Sequence, residues 1–176
     1  MPVQIRKAAA ADLDAVARIY SHIHTEEEQG RAVIGWQRGI YPERETAEKA
    51  LERDDLFVEE LDGIVVGTAI INQLQVDAYA GAPWKYEAPD DQVMVLHTLV
   101  IDPQASEHGL GRTFVAFYEQ YAKEHDCPYL RMDTNIRNTR ARAFYQKLGY
   151  KEIAVVPCLF NGLKGVKLVL LEKKLG

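Results

Sequence analysis

Apolar and polar positions recur with two periods along this chain, and the switches between them mark its elements. Residues 3–6 alternate and predict an edge strand. From Asp12 to about Ile23, the positions Leu13, Val16, Ala17 and Tyr20 recur at helical spacing, with acidic residues where the helix dipole favours them. Pro42 predicts the first turn of a second helix that runs to about Arg53. Residues 56–61 and 64–74 flank Asp62-Gly63, a hairpin signal. Residues 75–92 hold Gly81, Pro83 and Pro89 and read as a long loop, a length that is usually functional or disordered. Residues 93–101 are nearly all apolar and predict a strand inside a sheet, closed by Asp102-Pro103.

Beyond it, Phe114, Phe117, Tyr118, Tyr121 and Ala122 mark one face of a helix. Residues 129–133 predict a short strand. Asn138 can cap a helix whose stripe is Ala141, Phe144, Tyr145 and Leu148, stopped by Gly149. Residues 150–156 and 166–172 read as closing strands. With no repeat and no linker, the expectation is one α/β domain over residues 1–176, a central mixed β-sheet with helices on both faces.

Composition narrows the function. Of the 176 residues, 47% are hydrophobic and 27% charged, which is ordinary for a globular chain and not for a disordered one. Lys and Arg number 21 against 26 Asp and Glu, a net charge of −5, so there is no basic excess for gripping nucleic acid. No apolar run reaches the ~18 residues of a membrane span, and the N-terminal residues do not read as a secretion signal. Cys127 and Cys158 stand far apart and outside metal-ligand spacing. The expectation is a cytoplasmic protein without metal, nucleic-acid or membrane partners.

Two segments carry chemistry. In the first, Leu99-Val100-Ile101 leads through Asp102-Pro103 to His108-Gly109-Leu110-Gly111-Arg112-Thr113. Two glycines let the backbone approach a ligand, and the helix start behind them offers unpaired N–H groups to phosphate. A plain turn before a helix would read the same. A dinucleotide fingerprint needs a third glycine where Phe114 stands, and a phosphate loop of the nucleotide-triphosphatase type needs Gly-Lys where Gly111-Arg112 stands. The second segment is Asn138, Ala141, Phe144, Tyr145 and Leu148-Gly149-Tyr150.

Together, in this order, the two segments resemble the GCN5-related N-acetyltransferase (GNAT) family. That resemblance implies acetyl-coenzyme A as co-substrate, bound by Leu99, Val100, Ile101, residues 108–113, Asn138 and Tyr145. It implies an amine acceptor, a small molecule or a protein, and it admits a homodimer. The family's loop usually begins with Gln or Arg where Ser106 stands, and Arg112 could supply that charge. Tyr145 falls at the general acid that protonates the leaving thiolate; its other reading is packing beside Phe144. The base is not evident: His97 has the right titration range, yet a histidine in an apolar strand is commonly core. Trp36, Tyr41 and Trp84 lie where the family builds its acceptor pocket, and aromatic walls suit a cationic amine. A non-catalytic acyl-coenzyme A sensor of the same fold is the competing reading.

Overall fold

The computed structural model describes residues 3–105, 109–160 and 162–176. Among them the order is β1 (Val3–Lys7), α1 (Leu13–Glu28), α2 (Arg44–Glu52), β2 (Leu56–Leu61), β3 (Ile64–Asn72), β4 (Val93–Ile101), α3 (Leu110–Glu124), β5 (Tyr129–Asn135), α4 (Thr139–Lys147), β6 (Lys151–Phe160) and β7 (Leu163–Lys174). The strands hydrogen-bond in the order β1-β2-β3-β4-β5-β7-β6. β4 and β5 run parallel, whereas β1–β2, β2–β3, β5–β7 and β6–β7 are antiparallel. This is the expected mixed sheet. The chain divides into two compact units, the first made of Met1–Ala32, Trp36–Ile71 and His97–Tyr118, the second of Val33–Gly35, Asn72–Leu96 and Glu119–Gly176.

In the first unit, the alternation along β2 sends its side chains to two covered faces. Leu56 and Val58 join a core with Val16, Ile19 and Tyr20 of α1 and Ala47 and Ala50 of α2. Phe57 points the other way, against Phe117 of α3 at 5.6 Å between ring centres. Helices therefore cover both faces, and each large side chain so buried contributes roughly 1.5–3 kcal/mol. Asp62 (φ 53) and Gly63 (φ 78) form the predicted tight turn, with Leu61 paired to Ile64. The second helix starts later than Pro42 suggests. Glu43 is still extended (φ −130), and its N–H is met by the Thr46 hydroxyl at 3.0 Å, so the helix begins at Arg44.

In the second unit, β5 lies against β7 with Arg131 opposite Glu172 and Asp133 opposite Leu170. The core of one face holds Val93, Val95, Leu168, Leu170 and Tyr79. Tyr79 comes from the 73–92 segment, which is folded down with two short 3-10 turns, Asp77–Tyr79 and Asp90–Gln92. Two buried charges hold it there. The Glu172 carboxylate accepts the N–H groups of Lys85 (2.7 Å) and Tyr86 (3.4 Å). Arg131 donates to Gln75 Oε1 (2.8 Å) and to the Tyr86 carbonyl (3.0 Å), with its guanidinium 4.2 Å from the Trp84 ring centre. Such buried charges are tolerable because their hydrogen-bonding capacity is used.

β6 and β7 run further than the predicted closing strands, because Pro157 does not end β6. β6 is the edge of the sheet, where a missing N–H is tolerated, and Pro157 pairs with Lys167. No helix among the described residues is long and apolar enough to cross a membrane, and no group of three or more His, Cys, Asp or Glu among them could hold a metal ion.

Candidate functional site

In the first unit the predicted strand β4 carries a distortion. The parallel ladder from β4 to β5 covers Val93–Val95. Three residues on, Thr98 adopts φ 50, a left-handed conformation that strains a β-branched side chain by about 1–3 kcal/mol. The Tyr41 hydroxyl shares a short hydrogen bond with Thr98 Oγ1 and helps hold it. The backbone groups of residues 99–101 on that edge therefore have no ladder partner on β5 among the described residues. Asp102 anchors the strand's end: its N–H donates to the Val66 carbonyl (2.7 Å), and its Oδ1 accepts from Gln104 N–H and lies 2.9 Å from His22 Nδ1.

Gly109 follows with φ 83, and an added Cβ would meet nothing within 4 Å. The Thr113 N–H and hydroxyl both bond the Gly109 carbonyl, at 3.0 and 2.9 Å. Leu110, Gly111 and Arg112 thus occupy the opening turn of α3, whose N–H groups lack intrahelical partners and face outward with the positive dipole end. His108 and Ser106 lie outside the described residues. His97 is half-buried directly before Thr98. Trp36 meets Tyr41 edge-on at 6.0 Å, so this aromatic pair sits beside the distorted residue. Tyr20 adds a buried hydroxyl with no hydrogen-bond partner among the described residues, its phenol raised by burial and then by Tyr41.

In the second unit, Asn138 caps α4 by accepting the Ala141 N–H at 3.1 Å, as predicted, and Gly149 (φ 94) follows the helix. Tyr145 is buried on that helix, edge-on to Phe144 at 5.1 Å and Tyr150 at 5.9 Å. Burial first, and the charge of Asp133 second, push its phenol well above the ordinary value, so the hydroxyl stays protonated at neutral pH.

Asp133 is the residue the sequence reading missed. It is half-buried on β5, and its Oδ2 accepts a hydrogen bond from the Tyr79 hydroxyl at 2.7 Å. Burial pushes its carboxyl up to about 6, against the opposing pull of that bond. A carboxylate that ionises near neutrality and is coupled to a buried phenol can take a proton. One signal was present: Arg131 and Asp133 alternate with the apolar Leu130 and Met132 along the strand. Trp84 belongs to this unit, packed edge-on to Tyr79 at 5.3 Å and under Arg131.

The model of the acetyltransferase (GNAT) family matches residues 14–150. A ribosomal-protein-alanine N-acetyltransferase from Brucella melitensis is 25% identical, with 98% of this chain and 99% of that one covered and a TM-score of 0.68. A GNAT-family acetyltransferase from Streptococcus agalactiae reaches a TM-score of 0.80 at 23% identity, over 99% and 96% of the two chains. An acetyltransferase from Salmonella typhimurium, solved with acetyl-coenzyme A, has a TM-score of 0.66 at 17% identity, over 99% and 94%. No curated protein matches significantly. With the family match covering well over half of its length, the chain belongs to the acetyltransferase (GNAT) family and is an acetyl-coenzyme A-dependent acetyltransferase.

Proposed function

We propose that the protein moves the acetyl group of acetyl-coenzyme A to a primary amine of a small molecule, by direct attack of the amine on the thioester. One observation carries the reading: among the described residues the β4–β5 ladder ends at Val95, and β4 continues through residues 99–101 toward Gly109 and the start of α3. The residues fit the co-substrate. An extended arm with amide groups pairs with a free strand edge, and a pyrophosphate suits the N–H groups at 109–113, with Arg112 adding charge. A main-chain N–H near Val100 meets the oxygen on which negative charge develops.

The remaining roles follow from chemistry. Tyr145 gives its proton to the leaving thiolate, and Asp133 takes the proton released by the amine. Asp133 is preferred to His97 as base because its charge is coupled to the Tyr145 phenol. Trp36 and Tyr41, paired edge-on, offer aromatic surface to an ammonium group before it is deprotonated. The test is thiol release across a panel of amines. Release with small amines and ~10²–10⁴-fold lower turnover in Tyr145→Phe, at unchanged coenzyme A affinity, supports the assignment. Wild-type turnover in a folded Tyr145→Phe protein, with chemistry rate-limiting, returns Tyr145 to a packing role. Binding without release on every amine would mark a sensor.

A protein acceptor is the second reading, and the likeness to the Brucella ribosomal-protein-alanine N-acetyltransferase favours it. Peptides with free N-termini therefore belong in the same panel.

A further inference from the structure

We propose that Tyr79 is a positioning residue for the proton acceptor: its hydroxyl holds one oxygen of Asp133, keeps that carboxyl ionised in a half-buried site, and leaves the other oxygen for the amine proton. The proposal rests on the reading of Asp133 as base. Tyr79 donates to Oδ2 at 2.7 Å, and Oδ1 forms no hydrogen bond among the described residues. Tyr79 is only 2% exposed, so its ring cannot swing away. Trp84 packs on it edge-on and donates its indole N–H to the Tyr79 carbonyl at 3.0 Å. Trp84 in turn lies under Arg131, which holds Gln75 and Tyr86. The folded-down 73–92 segment thus acts as a scaffold for one hydroxyl.

Burial alone would neutralise an aspartate here, since a low-dielectric site disfavours its charge. The hydrogen bond from Tyr79 opposes this and lowers the Asp133 carboxyl. The surrounding titratable groups do not replace it. Tyr145 of α4 and Cys158 of β6 feel the Asp133 charge, and each is pushed upward by it, so neither stabilises an anion as a cation would. Along β5, Arg131 is taken up by the 73–92 segment; on β7, Asp133 faces the apolar Leu170, and Glu172 is bound to Lys85 and Tyr86. Proton balance is simple. The neutral amine attacks, its N–H proton passes to Asp133 Oδ1, and Tyr145 gives its own proton to the departing thiolate.

Two readouts test the proposal. The first is a 13C titration of the Asp133 carboxyl, assigned with Asp133→Asn, in wild type and Tyr79→Phe. The second is the pH profile of kcat/KM with one acceptor, so that the amine's own ionisation cancels. Removing the hydroxyl should raise the Asp133 ionisation by about one pH unit. From a starting point near 6, turnover should fall about fivefold at pH 6 and change less than twofold at pH 9. An equal loss at every pH, or an unmoved titration, would mean that Tyr79 only packs, and would overturn the proposal.

A profile unchanged in Asp133→Asn overturns the base assignment and this proposal together. Loss of the acidic limb in Asp133→Asn, with no movement in Tyr79→Phe, overturns the proposal alone. Should Tyr79→Phe not fold, site-specific 3-fluorotyrosine at position 79 decides. Its more acidic hydroxyl should move the Asp133 titration downward, and an unmoved titration counts against the role.

Discussion

Glu59 stands on β2 on the same face as Phe57, opposite Gly67 of β3, and it is 0% exposed. Neither carboxylate oxygen has a hydrogen-bond partner among the described residues. A Cβ on Gly67 would come within 2.9 Å of Glu59 Oε1 and 2.8 Å of Ile101 Cδ1, so the glycine makes the room that Glu59 fills. Burial raises this carboxyl to about 7. The folded protein therefore holds the proton more tightly than the unfolded chain, and stability falls as pH rises from the ordinary carboxylate range through about 7. Above pH 8 the buried charge costs on the order of 3 kcal/mol. Glu59→Gln should accordingly raise Tm at pH 8 and give no such gain at pH 4.5. A Tm difference that is the same at both pH values would mean that Glu59 is not the titrating group. Nothing in the local sequence marks it. Glu59 and Glu60 are neighbours in an alternating strand, yet Glu60 meets Arg6 at 2.5 Å while Glu59 turns into the core. Which face is the dry one depends on α3, more than fifty residues away.

At the scale of elements, the strand, glycine loop and helix were legible because their signals are local: an apolar run, a proline stop, two glycines and an amphipathic stripe. The kink in β4 was not. Thr98 favours extended backbone by its branching, and its left-handed φ is stabilised through Tyr41, far off in sequence. The same contrast separates α4, whose Asn138 cap and Gly149 stop read directly, from α2, whose start depends on Thr46 answering Glu43. Gly109 allows a separation of folding from binding. Its φ is 83 and the space around it is open, so Gly109→Ala meets no clash and loses about 1–2 kcal/mol through backbone conformation alone. If main-chain N–H groups at the start of α3 hold the pyrophosphate, calorimetry should show coenzyme A affinity falling about tenfold or more, because the alanine pulls that turn out of shape. Unchanged affinity with the small stability loss would place the pyrophosphate elsewhere.

For the whole molecule, what the sequence could not supply was partnership across distance. The Tyr79–Asp133 bond joins residues 54 apart in sequence, and the Lys85–Glu172 contact joins residues 87 apart. A search for short motifs finds the ends of such contacts only as isolated polar residues in apolar strands. Net charge, by contrast, is read from the chain at once, and it has a consequence for the acceptor. At −5 the protein attracts cations over a range that salt shortens, from roughly 30 Å at 0.01 M to 10 Å at 0.1 M ionic strength. A small diamine carries two positive charges to the site, whereas an amino acid arrives as a zwitterion with none in balance. Long-range attraction raises the encounter rate, so kcat/KM for the diamine should fall severalfold between about 10 and 300 mM salt. The amino acid should respond by less than about twofold over the same interval. Because the two acceptors share the chemical step and the co-substrate, any effect of salt on acetyl-coenzyme A binding divides out of their ratio. A salt response equal for both would show that charge does not guide the acceptor.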